Sequence, residues 1–126
     1  MHAPITSIPM KVYVVEDSAL IRERLIAMLR EIEDTEIVGE SEEPGAALIG
    51  IHATRPDIVV LDLQLGNSSG LTVLRQLNDS MPTVIVLTNY ATPPFRKQCF
   101  ALGAKYFFDK TTEFSKVCET IKSLPR

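Results

Sequence analysis

A doubly wound α/β architecture with one five-stranded parallel sheet is predicted by three features of the sequence. Short apolar runs alternate five times with stretches whose apolar residues recur at helical spacing. The runs at residues 58–61 and 84–87 are unbroken, as expected of strands covered by helices on both faces. The runs also end abruptly in polar residues: Glu16-Asp17, Asp62, Thr88 and, after the last run, Asp109-Lys110.

Lys11-Val12-Tyr13-Val14-Val15 forms the first strand. A helix follows from about Ala19 to Glu33, with Ile21, Leu25, Met28, Leu29 and Ile32 on its apolar stripe and Arg22, Glu23, Arg30 and Glu31 facing water. Glu36-Ile37-Val38-Gly39-Glu40 is a shorter, more polar strand suited to an edge. Pro44 opens a second helix carrying Ala47, Leu48 and Ile51, weakened by Gly50 and stopped near Arg55 by Pro56. Ile58-Val59-Val60-Leu61-Asp62 is the third strand.

Residues 63–70 read as a loop from their Gly, Asn and Ser content. Leu71, Leu74 and Leu77 mark a third helix ending near 78–80, and residues 83–88 make the fourth strand. Thr92-Pro93-Pro94 opens a fourth helix with Phe95, Cys99 and Leu102 inward and Gly103 at its end. Residues 105–108 are the fifth strand. Thr112 caps a last helix, with Glu113 in its first turn and Phe114, Val117, Cys118 and Ile121 as its buried stripe. Strands one, three and four are the most apolar and belong at the centre. The flavodoxin-like order 2-1-3-4-5, with right-handed crossovers, satisfies this.

The chain of 126 residues is one domain by length, with residues 1–9 a loose leader and 10–126 the folded unit. A net charge of -3 gives no footprint for nucleic acid. No apolar run approaches the roughly 20 residues needed to cross a bilayer. The first nine residues lack the basic flank and apolar centre of a secretory signal. Cys99 and Cys118 read as buried free thiols rather than a disulfide, fitting a reducing cytoplasm. The two histidines, without a cysteine cluster, give no zinc spacing.

All strands of a parallel sheet end on one edge, so Glu16, Asp17, Asp62, Thr88 and Lys110 converge there. Taken singly they have plainer readings: helix-capping acids, a turn start, a solvated lysine. Those readings do not predict a shared edge. Two like charges about 4 Å apart repel by roughly 4 kcal/mol at an effective dielectric of about 20, which a divalent cation relieves. Oxygen ligands without His or Cys suit Mg²⁺. An ionised Asp62 can then be a nucleophile that forms an aspartyl phosphate. The metal, the Lys110 ammonium and the Thr88 hydroxyl stabilise charge on the transferring phosphoryl group.

With these residues in place, the chain resembles the response-regulator receiver domain of two-component signalling from Lys11 onward. The matching motifs are Val14-Val15-Glu16-Asp17-Ser18, Asp62-Leu63-Gln64-Leu65 with Ser69-Gly70-Leu71, Val86-Leu87-Thr88, and Gly103-Ala104 leading to Phe107-Phe108-Asp109-Lys110. The resemblance implies that Asp62 is the phosphoacceptor, Glu16 and Asp17 the acidic pair for Mg²⁺, and Gln64 a further ligand through its backbone carbonyl. Thr88 and Lys110 would contact the phosphoryl group, and Phe107 stands at the family's switch aromatic.

The chain departs from the family pattern at several positions. Asn89 stands where a small residue usually follows the switch threonine, and its larger side chain narrows access to Asp62. Gln64 and Tyr90 occupy the positions that flank the phosphoryl group and tune dephosphorylation. Gly66 replaces a frequent proline. Lys110-Thr111 replaces the Lys-Pro bond of many receivers, where a cis peptide would cost about 3 kcal/mol without proline.

The resemblance thus implies a cytoplasmic phosphorylation switch fed by a histidine kinase or histidine phosphotransfer protein, with no catalytic output of its own. It is read by a downstream protein through helix four, strand five and helix five. Phe95, Cys99, Phe107 and Lys116 are the candidate contacts, and dimerisation through that face on phosphorylation is left open. Three other classes make different demands on these residues. A pseudo-receiver acting only as a docking module would keep the pocket unused. A phosphatase with an aspartyl-phosphate intermediate, resembling haloacid dehalogenases, would need a second Asp at Gln64 and a larger cap. A flavodoxin-like electron carrier would place FMN phosphate against Glu16-Asp17, which repel it.

Overall fold

The computed structural model describes residues 8–77 and 82–125. The order is β1 (Met10–Val15), α1 (Ala19–Arg30), β2 (Thr35–Ser41), α2 (Pro44–Thr54), β3 (Ile58–Leu61), β4 (Gln64–Leu65), β5 (Ser68–Ser69), α3 (Gly70–Gln76), β6 (Thr83–Thr88), α4 (Pro93–Ala101), β7 (Tyr106–Asp109) and α5 (Lys116–Ser123). Five parallel strands pair in the order β2-β1-β3-β6-β7, which is the predicted 2-1-3-4-5 order of the main sheet. Most of the predicted leader, residues 1–7, lies outside the described residues.

Strand alternation divides the core into two layers. Val15, Val59, Leu61, Val84 and Val86 face α2, α3 and α4, packing with Ala47, Ile51, Leu74 and Cys99. Val12, Val14, Ile58, Val60, Ile85 and Leu87 face α1 and α5, packing with Leu25, Leu29, Val117 and Ile121. A sheet buried on both sides explains why β3 and β6 carry no exposed position in their apolar runs. Both cysteines are free and buried. No helix among the described residues is long and apolar enough to cross a membrane.

Four sequence expectations need correction. Helix α1 ends at Arg30, not Glu33, because Glu31 and Ile32 donate to Met28 and Leu29 in a tighter final turn. Its buried stripe also includes Ile26, and Arg22 is largely withdrawn from water. The loop after β3 contains a small antiparallel hairpin, β4–β5, turned by Gly66 at φ 61 and Asn67. Helix α3 ends at Gln76, and its predicted end at 78–80 lies outside the described residues.

The fourth correction concerns α5, which starts at Lys116 rather than after a Thr112 cap. A turn closed by Asp109 and Glu113 occupies that stretch. Glu113 N–H donates to the Asp109 carbonyl at 2.8 Å, Asp109 N–H donates to Glu113 Oε1 at 3.0 Å, and Thr111 N–H donates to Asp109 Oδ1 at 2.8 Å. Phe114 leads into α5, partly buried against the α1–α5 layer with the Arg24 guanidinium 4.8 Å above its ring.

Gly50, which weakens α2 by propensity, has a packing role. Tyr13 of β1 is 3% exposed and its ring lies beside Gly39 of β2 and Gly50 of α2. A Cβ at Gly50 would overlap the Tyr13 hydroxyl, which hydrogen-bonds Ser41.

Candidate functional site

The sheet ladder itself sets the positions of the polar residues. Past the end of β3, Asp62 N–H donates to Val15 O at 3.0 Å, and past β1, Glu16 N–H donates to Ser41 O at 3.0 Å. Past β7, Lys110 N–H donates to Thr88 O at 2.9 Å. Each backbone is thus anchored to the neighbouring strand one residue beyond the regular pairing. Residues far apart in sequence arrive at one cleft, lined by Glu16, Asp17, Ser18, Ile21, Asp62, Gln64, Asn89, Tyr90 and Lys110.

Lys110 is the hub of the cleft. Its Nζ donates to Glu16 Oε1 at 2.6 Å and to Asp62 Oδ2 at 2.7 Å, with all three side chains under a tenth exposed. Glu16 Oε2 also accepts from Ser18 N–H at 2.9 Å, and Asp62 Oδ1 accepts from Gln64 N–H at 3.3 Å. Burial pushes the Glu16 carboxyl up. The hydrogen bonds from Lys110 and Ser18 oppose this without cancelling it, and the Asp62 charge adds to it. Burial pulls the Lys110 ammonium down, but hydrogen bonds and charges from Asp62 and Glu16 outweigh it and raise the group. Lys110 therefore stays cationic at neutral pH.

Glu16, Asp17 and Asp62 each bring a carboxylate oxygen within 4.8 Å of the other two. Three carboxylates against one ammonium leave two negative charges in excess, which is the charge of one divalent cation. The donors are all oxygen, as hard cations such as Mg²⁺ require, and Asp17 is exposed where a partly hydrated ion would sit. The residues present therefore fit such an ion.

Two predicted residues stand apart from this cluster. Thr88 is 0% exposed at the end of β6, where its Oγ1 accepts from Tyr90 N–H at 3.1 Å. Its neighbours Asn89 and Tyr90, rather than Thr88 itself, line the cleft. Phe107 is 4% exposed in β7, its ring 6.4 Å from that of Phe100 and 5.8 Å beneath the Arg96 guanidinium. Arg96 Nη1 also donates to Phe107 O at 3.2 Å. Phe107 and Cys99, expected as surface contacts, are thus both interior. Phe100, 39% exposed, is the aromatic that α4 presents outward, while Phe95 is half-buried and Lys116 exposed. Among the described residues no peptide is cis, so Lys110-Thr111 is trans.

Several further residues support the site in ways the sequence reading does not assign to them. Arg22 Nη1 donates to the Glu16 carbonyl at 2.7 Å while its Nε donates to Glu40 at 2.9 Å, tying α1 and β2 to the acidic turn. Ser18 caps α1 by accepting from Ile21 N–H at 3.3 Å, a signal legible as Ser before an apolar stripe. Gly66 N–H donates to Asp17 Oδ2 at 2.9 Å, a bond that proline at this position could not make. Gly70 packs so close to the Asp62 carbonyl that any Cβ would overlap it, and its N–H donates to Leu63 O at 2.7 Å. A glycine opening a helix was the available signal for that close approach.

Comparison with known proteins gives concordant results. The family model for the response regulator receiver domain matches residues 12–122. A protein-glutamate methylesterase/protein-glutamine glutaminase of Anaeromyxobacter dehalogenans is 33% identical over 99% of this chain and 38% of its own length. One from Carboxydothermus hydrogenoformans is 38% identical over 89% of this chain and 34% of its own length. The chain thus spans just over a third of these relatives. Among solved structures, the receiver domain of the response regulator NarL from Mycobacterium tuberculosis superposes with a TM-score of 0.83 at 25% identity, covering 91% of this chain and 94% of that one. A CheX-CheY complex with BeF3 and Mg²⁺ from Borrelia burgdorferi gives 0.82 at 28% identity, covering 92% and 89%.

Proposed function

This chain belongs to the response-regulator receiver family, and on that premise we propose that Asp62 accepts a phosphoryl group from a histidine kinase or histidine phosphotransfer protein. The observation that carries the reading is the Lys110 ammonium held between the buried Asp62 and Glu16 carboxylates at one sheet edge. Asp62 oxygen attacks phosphorus as the bond to the donor histidine breaks. Lys110 is placed to exchange its bond to Asp62 for one to a phosphoryl oxygen. Glu16, Asp17, Asp62 and the Gln64 backbone carbonyl would hold Mg²⁺, which supplies charge stabilisation to the transferring group.

The rest of residues 10–126 reads this event out. Thr88 gives up its contact with the Tyr90 N–H to reach the phosphoryl group. That movement reaches Phe107 and, through Arg96 and Phe100, the surface of α4, β7 and α5, changing its affinity for a downstream protein. A cytoplasmic setting suits both the donor and the ion.

Incubation with Mg²⁺ and acetyl phosphate, followed by intact-mass measurement, tests this reading. A phosphoryl adduct that requires Mg²⁺ and is lost in Asp62→Asn supports it. A parent protein that takes up nothing from acetyl phosphate or from any kinase would leave a docking module instead.

A further inference from the structure

Helix α2 is apolar on both sides. Pro44, Ala47 and Ile51 are buried against the sheet, while Gly45, Ala46, Ile49 and Ala53 lie exposed on one outer stripe. Ile49, at its middle, is 74% exposed. Residues 44–54 contain no Asp, Glu, Lys or Arg, whereas α1, α3, α4 and α5 each carry at least one. A helix without a charged face is ordinarily covered on every side, so the outer stripe of α2 calls for a partner.

The sequence on either side of Ile49 is complementary to itself. Gly45 and Ala53 stand four positions away in opposite directions, Ala46 and His52 three, and acidic Glu43 and basic Arg55 six. A second α2 laid antiparallel on a twofold axis through Ile49 would set Ile49 against Ile49 and Gly45 against Ala53. At both ends the exposed acids Glu42 and Glu43 would face the exposed Arg55 of the other copy. The small side chains allow two such helices to approach closely, and their opposed directions pair the helix dipoles favourably. An unrelated helix would have to match this pattern, whereas a second copy supplies it by symmetry.

We propose that the outer face of α2 is a homodimer interface, in which two copies of this chain pair antiparallel about Ile49. The helix has 11 residues, a span of roughly 16 Å, so the pair buries less than the about 800 Å² per partner of standard interfaces. The dimer is accordingly weak and forms at high concentration. None of the residues lining the acidic cleft belongs to α2, and the inference does not rest on Asp62 as phosphoacceptor.

Sedimentation velocity of the full chain from about 10 μM to about 1 mM tests this, together with amide NMR spectra over the same range. The sedimentation coefficient should rise toward that of a dimer, and the amides of Gly45, Ile49 and Ala53 should shift with it. Ile49→Glu places two like charges together on the axis and should weaken association at least tenfold. Glu42→Lys and Arg55→Asp should each weaken it, Asp being a residue that tolerates the left-handed backbone at position 55, where φ is 46. An equimolar mixture of these two single variants should associate more tightly than either alone, because one end of the mixed pair regains its native charges. Thermal unfolding confirms that each variant is folded. A chain that stays monomeric at about 1 mM, a dimer that Ile49→Glu leaves intact, or a mixture no tighter than its components would overturn the proposal.

Discussion

Lys110 Nζ lies 2.6 Å from Glu16 Oε1, a bond between residues 94 positions apart that closes the acidic cleft from the far side of the sheet. The same nitrogen is 2.7 Å from Asp62 Oδ2, so one buried cation is shared by two buried anions. Removing one partner from such a cluster strands the others in a medium that solvates them poorly.

Lys110→Met should therefore destabilise the chain by about 3 kcal/mol in the absence of divalent cation. Mg²⁺ should recover more stability in the variant than in the parent, because the variant has one more uncompensated negative charge. Urea unfolding with and without millimolar Mg²⁺ reads both effects. An equal response of parent and variant to Mg²⁺ would contradict the charge balance assigned to this cleft.

The Asp109–Glu113 turn gives a pH prediction with a defined sign. The Asp109 N–H and then Lys116 hold the Glu113 carboxyl below its ordinary value of 4.5. A carboxyl lowered in the folded state contributes stability above its unfolded value and loses it as pH falls through the lowered one. Glu113→Gln should thus lower the unfolding midpoint at neutral pH, with the gap closing as pH falls below the ordinary carboxylate range. A gap independent of pH would mean that the carboxylate charge contributes nothing there.

Gly50→Ala tests the Tyr13 packing against local propensity. Alanine in a helix interior should stabilise by up to about 1 kcal/mol over glycine. Overlap with the buried Tyr13 hydroxyl should reverse the sign and cost about 1–3 kcal/mol. Chemical denaturation of the variant decides between the two, and Tyr13→Phe in the same background should recover part of the loss.

Arg96 holds Phe107 by three contacts: the hydrogen bond to its carbonyl, the guanidinium above its ring, and the shared stack with Phe100. Arg96→Ala should destabilise by about 1 kcal/mol and shift or broaden the Phe107 ring resonances. Arg96→Lys should restore the charge but not the carbonyl bond, giving an intermediate result. Unchanged Phe107 resonances in both variants would show that the clasp does not position this ring.

These residues also mark how much could be read from the chain alone. The strand order and the gathering of Glu16, Asp17, Asp62 and Lys110 were legible because a parallel sheet sends every strand end to one edge. Unbroken apolar runs at β3 and β6 named the central strands. Helical periodicity turns Arg22 toward solvent because it describes only its own helix, whereas the partners of Arg22 are the Glu16 carbonyl and Glu40 on other elements. Thr112 carried a valid local capping signal, but the Asp109–Glu113 turn satisfied the same backbone first. Gly50 looked like a weak point in α2 because its reason, the Tyr13 ring, lies 37 positions earlier in the sequence. Thr88 was placed on the correct strand, but whether its hydroxyl faces the cleft or the Tyr90 amide depends on side-chain rotation that no sequence pattern encodes.

The most direct measurement of the central claim is chemical trapping of the acyl phosphate. The protein is phosphorylated with acetyl phosphate and Mg²⁺, reduced with borohydride, digested and mapped by mass spectrometry. Reduction of an aspartyl phosphate yields homoserine, and the account predicts it at position 62. Homoserine at Asp17 or Asp109, or an unmodified Asp62 in protein that carries a phosphoryl group, would contradict it.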